Sequence, residues 1–315
     1  MANVVVVGGG LTGLATAYEL ERHNIPYTLI EVKKRFGGSI ETIQCNDFLF
    51  DSAEMCHELD NPVWMTDYLA SIGLSEAYFF ADDRLIFKRG TGVIINALSA
   101  KITASIMHRM AVSTLGMLDK GRFGICMENG LLLDAKAVIV TAPAKHAERL
   151  FYPLHYPISN LLLDYRYDTI TRISVGYYDQ SKMSLNIPKD SPISNLQHTT
   201  HGDRVPFGGW IGQVSLRISE HDLPQDPVGE IAMAMNWEIN PDADHIATWE
   251  TSDPCMWRDA NHIKKMTTIQ QLLPDGIALA GSDYISTNRP PRLDERIRMG
   301  IESAQKIIAY VQNQP

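Results

Sequence analysis

Val4-Val5-Val6-Val7-Gly8-Gly9-Gly10-Leu11-Thr12-Gly13, followed by an apolar-faced stretch to Arg22 and by Tyr27-Thr28-Leu29-Ile30-Glu31, decides the fold. Four consecutive valines are β-branched and apolar throughout, as a strand buried on both faces of a parallel sheet requires. The glycines make the turn. Leu11, Leu14, Ala15, Ala17, Tyr18 and Leu20 then form a broad apolar face, with charge gathering at Glu19, Glu21 and Arg22, so residues 11–22 read as a helix. Asn24-Ile25-Pro26 stops it, and residues 27–30 form a second strand that ends in Glu31, completing a βαβ unit.

Each member of Gly8-x-Gly10-x-x-Gly13 has a physical role. Gly8 permits the tight turn, Gly10 lets a pyrophosphate approach the backbone, and Gly13 lets helix and strand pack closely. Free amides and the positive end of the helix, with Leu11 and Thr12 in its first turn, suit a diphosphate, and Glu31 suits a ribose hydroxyl. A bare glycine pattern is often only a flexible loop. With strand, helix and acid all in place it specifies an adenine dinucleotide. Lys33, Lys34 and Arg35 follow, but Glu31 opposes a 2′-phosphate there. Lys34 reads as solvated, while Lys33 and Arg35 stay open between solvent and the diphosphate.

The chain around this unit has 315 residues, 45% hydrophobic and 21% charged, with a net charge of −9. That length allows one large or two ordinary domains, and the composition excludes global disorder and a disulfide-stapled module. The acidic balance argues against nucleic acid and anionic lipid as partners. Cys45, Cys56, Cys126 and Cys255 form no C-x-x-C pair and read as reduced and structural. The N-terminal residues lack the basic and long apolar regions of a signal peptide, and no apolar run reaches the roughly 18 residues of a membrane span. The expectation is a cytoplasmic protein with no membrane span and a small-molecule substrate. The oligomeric state is not legible.

Downstream, residues 112–118, 122–127 and 131–133 are strand candidates of an antiparallel meander, the last two joined by the hairpin signal Asn129-Gly130. Residues 137–141 and 276–280 read as buried strands, and 293–311 as a helix with Ile297, Gly300, Ile301, Ala304, Ile307 and Ile308 on its inner face. Residues 147–269, with strand candidates at 172–178 and 231–237, look like a second domain. His198 and His201 have an H-x-x-H spacing, but no further ligand accompanies them and no metal is expected. No nucleophile motif such as G-x-S-x-G occurs, so acyl transfer is disfavoured. Eight aromatics, Tyr165, Tyr167, Tyr177, Tyr178, Trp210, Trp237, Trp249 and Trp257, are candidates for a pocket wall or for core. Arg289, Arg292, Arg296 and Arg298 read as a solvated face or, less readily, as an anion site.

Arg35-Phe36-Gly37-Gly38-Ser39-Ile40-Glu41-Thr42 resembles the R-x-G-G-x-x-x-T segment of the flavin-containing amine oxidase and protoporphyrinogen oxidase superfamily. Four further segments are similar to that family: Phe48-Leu49-Phe50-Asp51-Ser52-Ala53, Lys88-Arg89-Gly90-Thr91-Gly92, Val138-Ile139-Val140-Thr141-Ala142-Pro143 and Leu279-Ala280-Gly281-Ser282-Asp283-Tyr284. Ala53 or Ser52 stands where the family usually has glycine. Only about 35 residues separate the Ala53 region from the Gly90 turn, a compactness that resembles renalase-like members.

The resemblance implies an α/β fold: a Rossmann-like FAD-binding domain with parallel sheet, βαβ unit and antiparallel meander, covered by a mixed-sheet α+β substrate domain. The expected boundaries are 1–60, 86–146 and 270–315 for the FAD-binding domain, and 61–85 with 147–269 for the substrate domain. It implies non-covalent FAD, with Gly37 and Gly38 close to the diphosphate. Ser39 and Ala53 would lie near the isoalloxazine, Val112 at the adenine, and Gly281, Ser282 and Asp283 near the ribityl chain. Backbone amides around Glu295, Arg296 and Ile297 would face the pyrimidine edge, where reduction places negative charge. Val32 and Lys33 follow Glu31 into the same site, and Arg35 belongs to the matched loop. No catalytic side chain is singled out.

The implied function is an FAD-dependent oxidoreductase that passes a hydride from a small donor, an amine or a reduced pyridine-nucleotide-like compound, to flavin N5. Oxygen or another acceptor would reoxidise it. The alternatives are a non-redox flavoenzyme resembling UDP-galactopyranose mutase and a non-catalytic FAD-binding protein.

Overall fold

Val4–Val7 lies at the centre of a five-stranded sheet, buried along its whole length as its four valines require. In the computed structural model, which describes residues 3–181, 183–251 and 253–313, the strand order is Ile277–Leu279, Ala137–Val140, Val4–Val7, Tyr27–Glu31 and Ser105–His108. All four pairings are parallel, with Val4 opposite both Tyr27 and Ala137. Leu11–Arg22 crosses from the first strand to Tyr27–Glu31 as the expected βαβ unit. Asn24, at φ 53°, makes the reversal after the helix.

Two apolar cores flank this sheet. On one face, the first helix packs with Gly92–Ser99 and the last helix, Leu293–Gln312, around Leu14, Leu29, Ile94 and Ile307. On the other lie the meander Val112–Met117, Phe123–Met127, Leu132–Ala135 and the helices Ala144–Phe151, Tyr156–Leu163 and His262–Leu272, around Ile125, Phe151 and Ile269. Asn129-Gly130 turns the last meander hairpin: Gly130 has φ +86° and Asn129 Oδ1 accepts from the Leu131 amide at 3.1 Å.

A second, antiparallel sheet has the order Ile193–Thr199, Trp210–Leu216, Ile170–Tyr177, Ala243–Trp249. Its outer face carries Ile173, Val175, Trp210 and Val214, which pack with Trp237 in a separate core. Its inner face is polar and lies on the glycine-loop half. Gln213 donates to the carbonyls of Asp51 and Ala53 and to Ser174 Oγ, and Gln197 takes the amides of Met55 and Cys56. A fully buried ion pair, Arg204 to Asp51 at 2.8 Å, joins the two halves. Asp51 also accepts from the Thr91 amide and hydroxyl, and Thr91 Oγ1 bonds to His57 Nε2 at 3.0 Å.

Two expectations are corrected here. Residues 231–237 belong to no strand: Pro227–Ala234 is a helix, with Asp226 Oδ1 accepting from the Gly229 amide at its start and Asn236, at φ 55°, in the turn beyond its end. The alternating Ile231, Met233, Met235 and Trp237 suggest a strand, but the buried positions include Ile231, Ala232 and Met235, a helical spacing, while Met233 is exposed. The packing also divides the chain differently from the expected boundaries. Met65, Tyr68, Leu69 and Leu85, placed with the cover at 61–85, pack in the core of the first helix. Leu150, Phe151, Ile158, Leu162, Met266 and Ile269, placed with the cover at 147–269, pack beneath the parallel sheet. Short apolar helices carry no mark in sequence of which sheet they cover.

Candidate cofactor-binding cleft

The glycine loop lies at the carboxyl end of Val4–Val7, at the mouth of a cleft between the two halves. Gly8 has φ +109°, and a Cβ there would lie 2.6 Å from Thr141 Oγ1. At Gly13 a Cβ would meet Gly8 O at 1.9 Å, so close packing of helix on strand excludes every other residue. Gly10 differs from both: the nearest atom to a Cβ there is Gly38 Cα at 4.0 Å. Gly10 pairs by a bridge with Gly37, so two glycine segments face one another across the cleft floor. The first helix has no side-chain cap and no acid in its first turn, leaving the amides of Leu11, Thr12 and Gly13 available at the lining.

Glu31 is buried in the cleft wall, where one carboxylate oxygen accepts from the Gly9 amide at 2.6 Å and the other from the Lys33 amide at 2.7 Å. The acid therefore also holds the glycine loop against the next strand. Lys33 Nζ lies 4.6 Å from the centre of the Trp249 ring, spanning the two halves, and burial together with Arg35 lowers its pKa. Trp249 is fixed by donating to Ser52 O at 3.0 Å.

Gly8, Gly10, Leu11, Thr12, Gly13, Glu31, Val32 and Lys33 all line the cleft, as do Gly37, Gly38, Ser39, Val112, Gly281, Ser282 and Arg296. Arg35, Ala53, Asp283 and Ile297 are not among its lining residues. Arg35 lies behind the loop, donating to the carbonyls of Phe36, Gly38 and Ile40 and pairing with Glu41 at 2.6 Å. Ala53 gives its carbonyl to Gln213, and Ile297 is wholly buried in core. Asp283 is turned inward: its carboxylate accepts from the Ala144 amide at 2.7 Å and from the Tyr167 hydroxyl, and burial pushes its pKa up to about 6. Ser282, its neighbour, takes the cleft-facing position.

Of the eight aromatics, Trp249 alone lines this cleft among the described residues. Tyr177 stacks on Trp210, which meets Trp237 edge-on, in the outer core, while Tyr165 and Tyr167 hold Asp283. Tyr178 is exposed, and Trp257 lies under Arg258. The arginine cluster resolves in the same manner. Arg289 pairs with Asp60 and Glu295, Arg292 with Glu58, and Arg298 with Asp60 and Asp294, leaving Arg296 on the cleft. His201 stacks on Phe79 away from the site. Reasoning from sequence missed Thr141, His146, Arg149 and Thr251 on the lining. Thr141 had a signal, since it lies inside the matched Val138–Pro143 segment. The others lie in segments with no motif.

Glu31 is the one acid among the described lining residues, against Lys33, Arg149 and Arg296. Arg149 is partly neutralised by Glu128 at 3.1 Å, and burial lowers the pKa of Arg296. On a chain of net charge −9 the cleft is locally positive.

A model for the NAD(P)-binding Rossmann-like domain matches residues 6–69. A flavin-containing monoamine oxidase A candidate from Dictyostelium discoideum is 45% identical over 49 residues, 16% of this chain and 11% of that protein. Protoporphyrinogen oxidase 2 from Arabidopsis thaliana is 25% identical over 154 residues, 49% of this chain and 29% of that one. Among solved structures, a protoporphyrinogen oxidase candidate from Exiguobacterium sp. 255-15 superposes with a TM-score of 0.76 at 14% identity, covering 99% of both chains. The chain therefore shares its fold with this structure, and segments of it are similar in sequence to flavin-containing amine oxidases and protoporphyrinogen oxidases.

The matches to these curated relatives span less than a third of their length. FAD fits the residues present. Free helix amides and facing glycines suit a diphosphate, Glu31 retains lone pairs for a ribose hydroxyl, and the cationic lining suits a dianion.

Proposed function

We propose that the chain is an FAD-dependent oxidoreductase that removes a hydride from a small-molecule donor, an amine or a reduced pyridine-nucleotide-like compound. Oxygen or another acceptor then receives the electrons. The observation that carries this reading is the positive cleft in an acidic chain, with an uncapped helix at its floor and a polar sheet over it. The named activities of the relatives, monoamine oxidase and protoporphyrinogen oxidase, support it. FAD, when bound, supplies a two-electron acceptor that the side chains themselves do not provide.

The chain's own residues bind, orient and exclude water. The amides of Leu11, Thr12 and Gly13 take the diphosphate, with Gly10 and Gly38 leaving room for it. Glu31 takes the ribose and Val112 borders the adenine. Arg296 places positive charge at the end of the cleft near the last helix. Trp249, at the end of the covering sheet, and Thr251, just beyond it, close the cleft over the donor side. Hydride removal needs the donor carbon held in place and water kept out, and it needs no nucleophile. No described helix is long and apolar enough to cross a membrane. A cytoplasmic location belongs to the same reading.

Anaerobic mixing of the FAD-loaded protein with amines, reduced pyridine nucleotides and porphyrinogens tests the proposal. Bleaching of the flavin bands by one class, and their return in air, is the expected result. Protein that acquires no two-band flavin spectrum after FAD addition would overturn it.

A further inference from the structure

Arg172 stands on Ile170–Tyr177, a central strand of the covering sheet, on the face that looks onto the glycine-loop half. Its cross-strand partners are small, Ser215 on one side and Ala247 on the other. Trp249, two residues beyond Ala247 and on the same face, lines the cofactor cleft. Ser174, the next residue of that face, is tied through Gln213 to the carbonyls of Asp51 and Ala53. Arg172 is therefore held above the Ser52-Ala53-Glu54 turn, beside the cleft.

The residue is 8% exposed. Its guanidinium reaches one carboxylate, Glu54 Oε1, at 3.7 Å, beyond hydrogen-bond distance, and its buried Nε has no partner among the described residues. Arg204 shows what this chain does with an arginine that serves structure alone. That side chain is buried completely and donates to Leu49 O and to Asp51 at 2.8 Å, leaving only its Nη1 without a partner among the described residues. An arginine carries five donors in a planar fork, and burying it without acceptors is costly. Arg296, on the cleft lining, also has a buried Nε without a partner, and it lies within electrostatic reach of Arg172, Glu54 and Asp253.

We infer that Arg172 is the specificity-determining residue of the donor site and that it recognises a carboxylate on the donor. This rests on the oxidoreductase reading above. A carboxylate presents two coplanar oxygens that match the guanidinium fork. Glu54 and Asp253, near the same arginine, oppose a dianionic phosphate, and a single negative charge is the better complement. The two acids also stand ready for a cationic group on the same donor.

Binding of formate, acetate and benzoate to the FAD-loaded protein, followed by perturbation of the flavin spectrum, tests this, with acetamide and benzamide as neutral counterparts. The carboxylates should bind and the amides should not. Arg172→Met should weaken carboxylate binding by about tenfold to a hundredfold, the range for a lost charged hydrogen bond, with FAD content unchanged. Arg172→Lys should recover part of the loss. Equal binding of acids and amides, or carboxylate binding unaffected in Arg172→Met, would overturn the assignment. If Arg172→Met loses FAD, the comparison of acids with amides on the unaltered protein decides alone. Reduction by neutral amines without any carboxylate binding would refute this inference and leave the oxidoreductase reading standing. Failure to bind FAD would refute that reading itself.

Discussion

Gly10 and Gly13 lie within one helical turn of each other, and their surroundings make opposite demands. A side chain at Gly13 would run into the Gly8 carbonyl, whereas at Gly10 it would enter the cleft without touching protein. Gly10 also has φ −71°, open to any residue. Gly10→Val should therefore fold with stability within about 0.5 kcal/mol of the parent, as an unobstructed substitution does, and lose FAD. Gly13→Ala should destabilise the chain by about 1–3 kcal/mol or more through overpacking, with or without cofactor. Urea denaturation of the apo-proteins beside FAD titration separates the two. Equal stabilities would show that the Gly13 contact relaxes freely.

At the scale of elements, the crossing of the first and last helices positions the cleft floor at Thr12. Gly300 lets the last helix approach so closely that a Cβ there would lie 2.6 Å from Thr12 O, and Thr16 Oγ1 bridges Thr12 O and Gly300 O. Gly300→Ala should push the helices apart at a cost of about 1–3 kcal/mol and shift Thr12 in the cleft floor. Urea denaturation and FAD affinity should fall together; a fall in stability with unaltered affinity would show that the shift is absorbed within the last helix. The βαβ unit, the meander and the last helix were legible in sequence because their signals are local: a valine run, Asn129-Gly130, and a helical apolar stripe. The turn of Asp283 away from the cleft was not legible. It depends on the Ala144 amide and the Tyr167 hydroxyl, which are 139 and 116 residues away. Nor was Trp249 distinguishable from Trp210, because both lie in strands and only the pairing register decides which face each takes.

For the molecule as a whole, two buried groups titrate in opposite senses. Burial raises Asp283 from 3.8 to about 6, so its contribution to stability is complete below about pH 3.8 and is lost as pH rises through 6. Burial pushes His57 down from 6.5 to about 4, so its contribution is complete above about pH 6.5 and is lost as pH falls through 4. Each shift corresponds to roughly 3 kcal/mol at about 1.4 kcal/mol per unit. Between these limits the two nearly cancel. Asp283→Asn keeps an acceptor for the Ala144 amide but removes one of the opposing titrations, so it should lose about 3 kcal/mol more than the parent between pH 6.5 and 4. Chemical denaturation at several pH values measures this, and parallel curves for the two proteins would refute it.

The sign of the cleft, set against the sign of the molecule, bears on how FAD arrives. A dianion approaching a body of net charge −9 is repelled at long range and attracted only near Lys33 and Arg296. At about 0.1 M salt the screening length is roughly 10 Å, which suppresses the distant repulsion more than the contacts inside the cleft. Moderate salt should then speed cofactor loading while leaving its equilibrium nearly in place. Stopped-flow fluorescence of FAD binding across a salt series would show whether the encounter, rather than the bound state, feels the acidic surface.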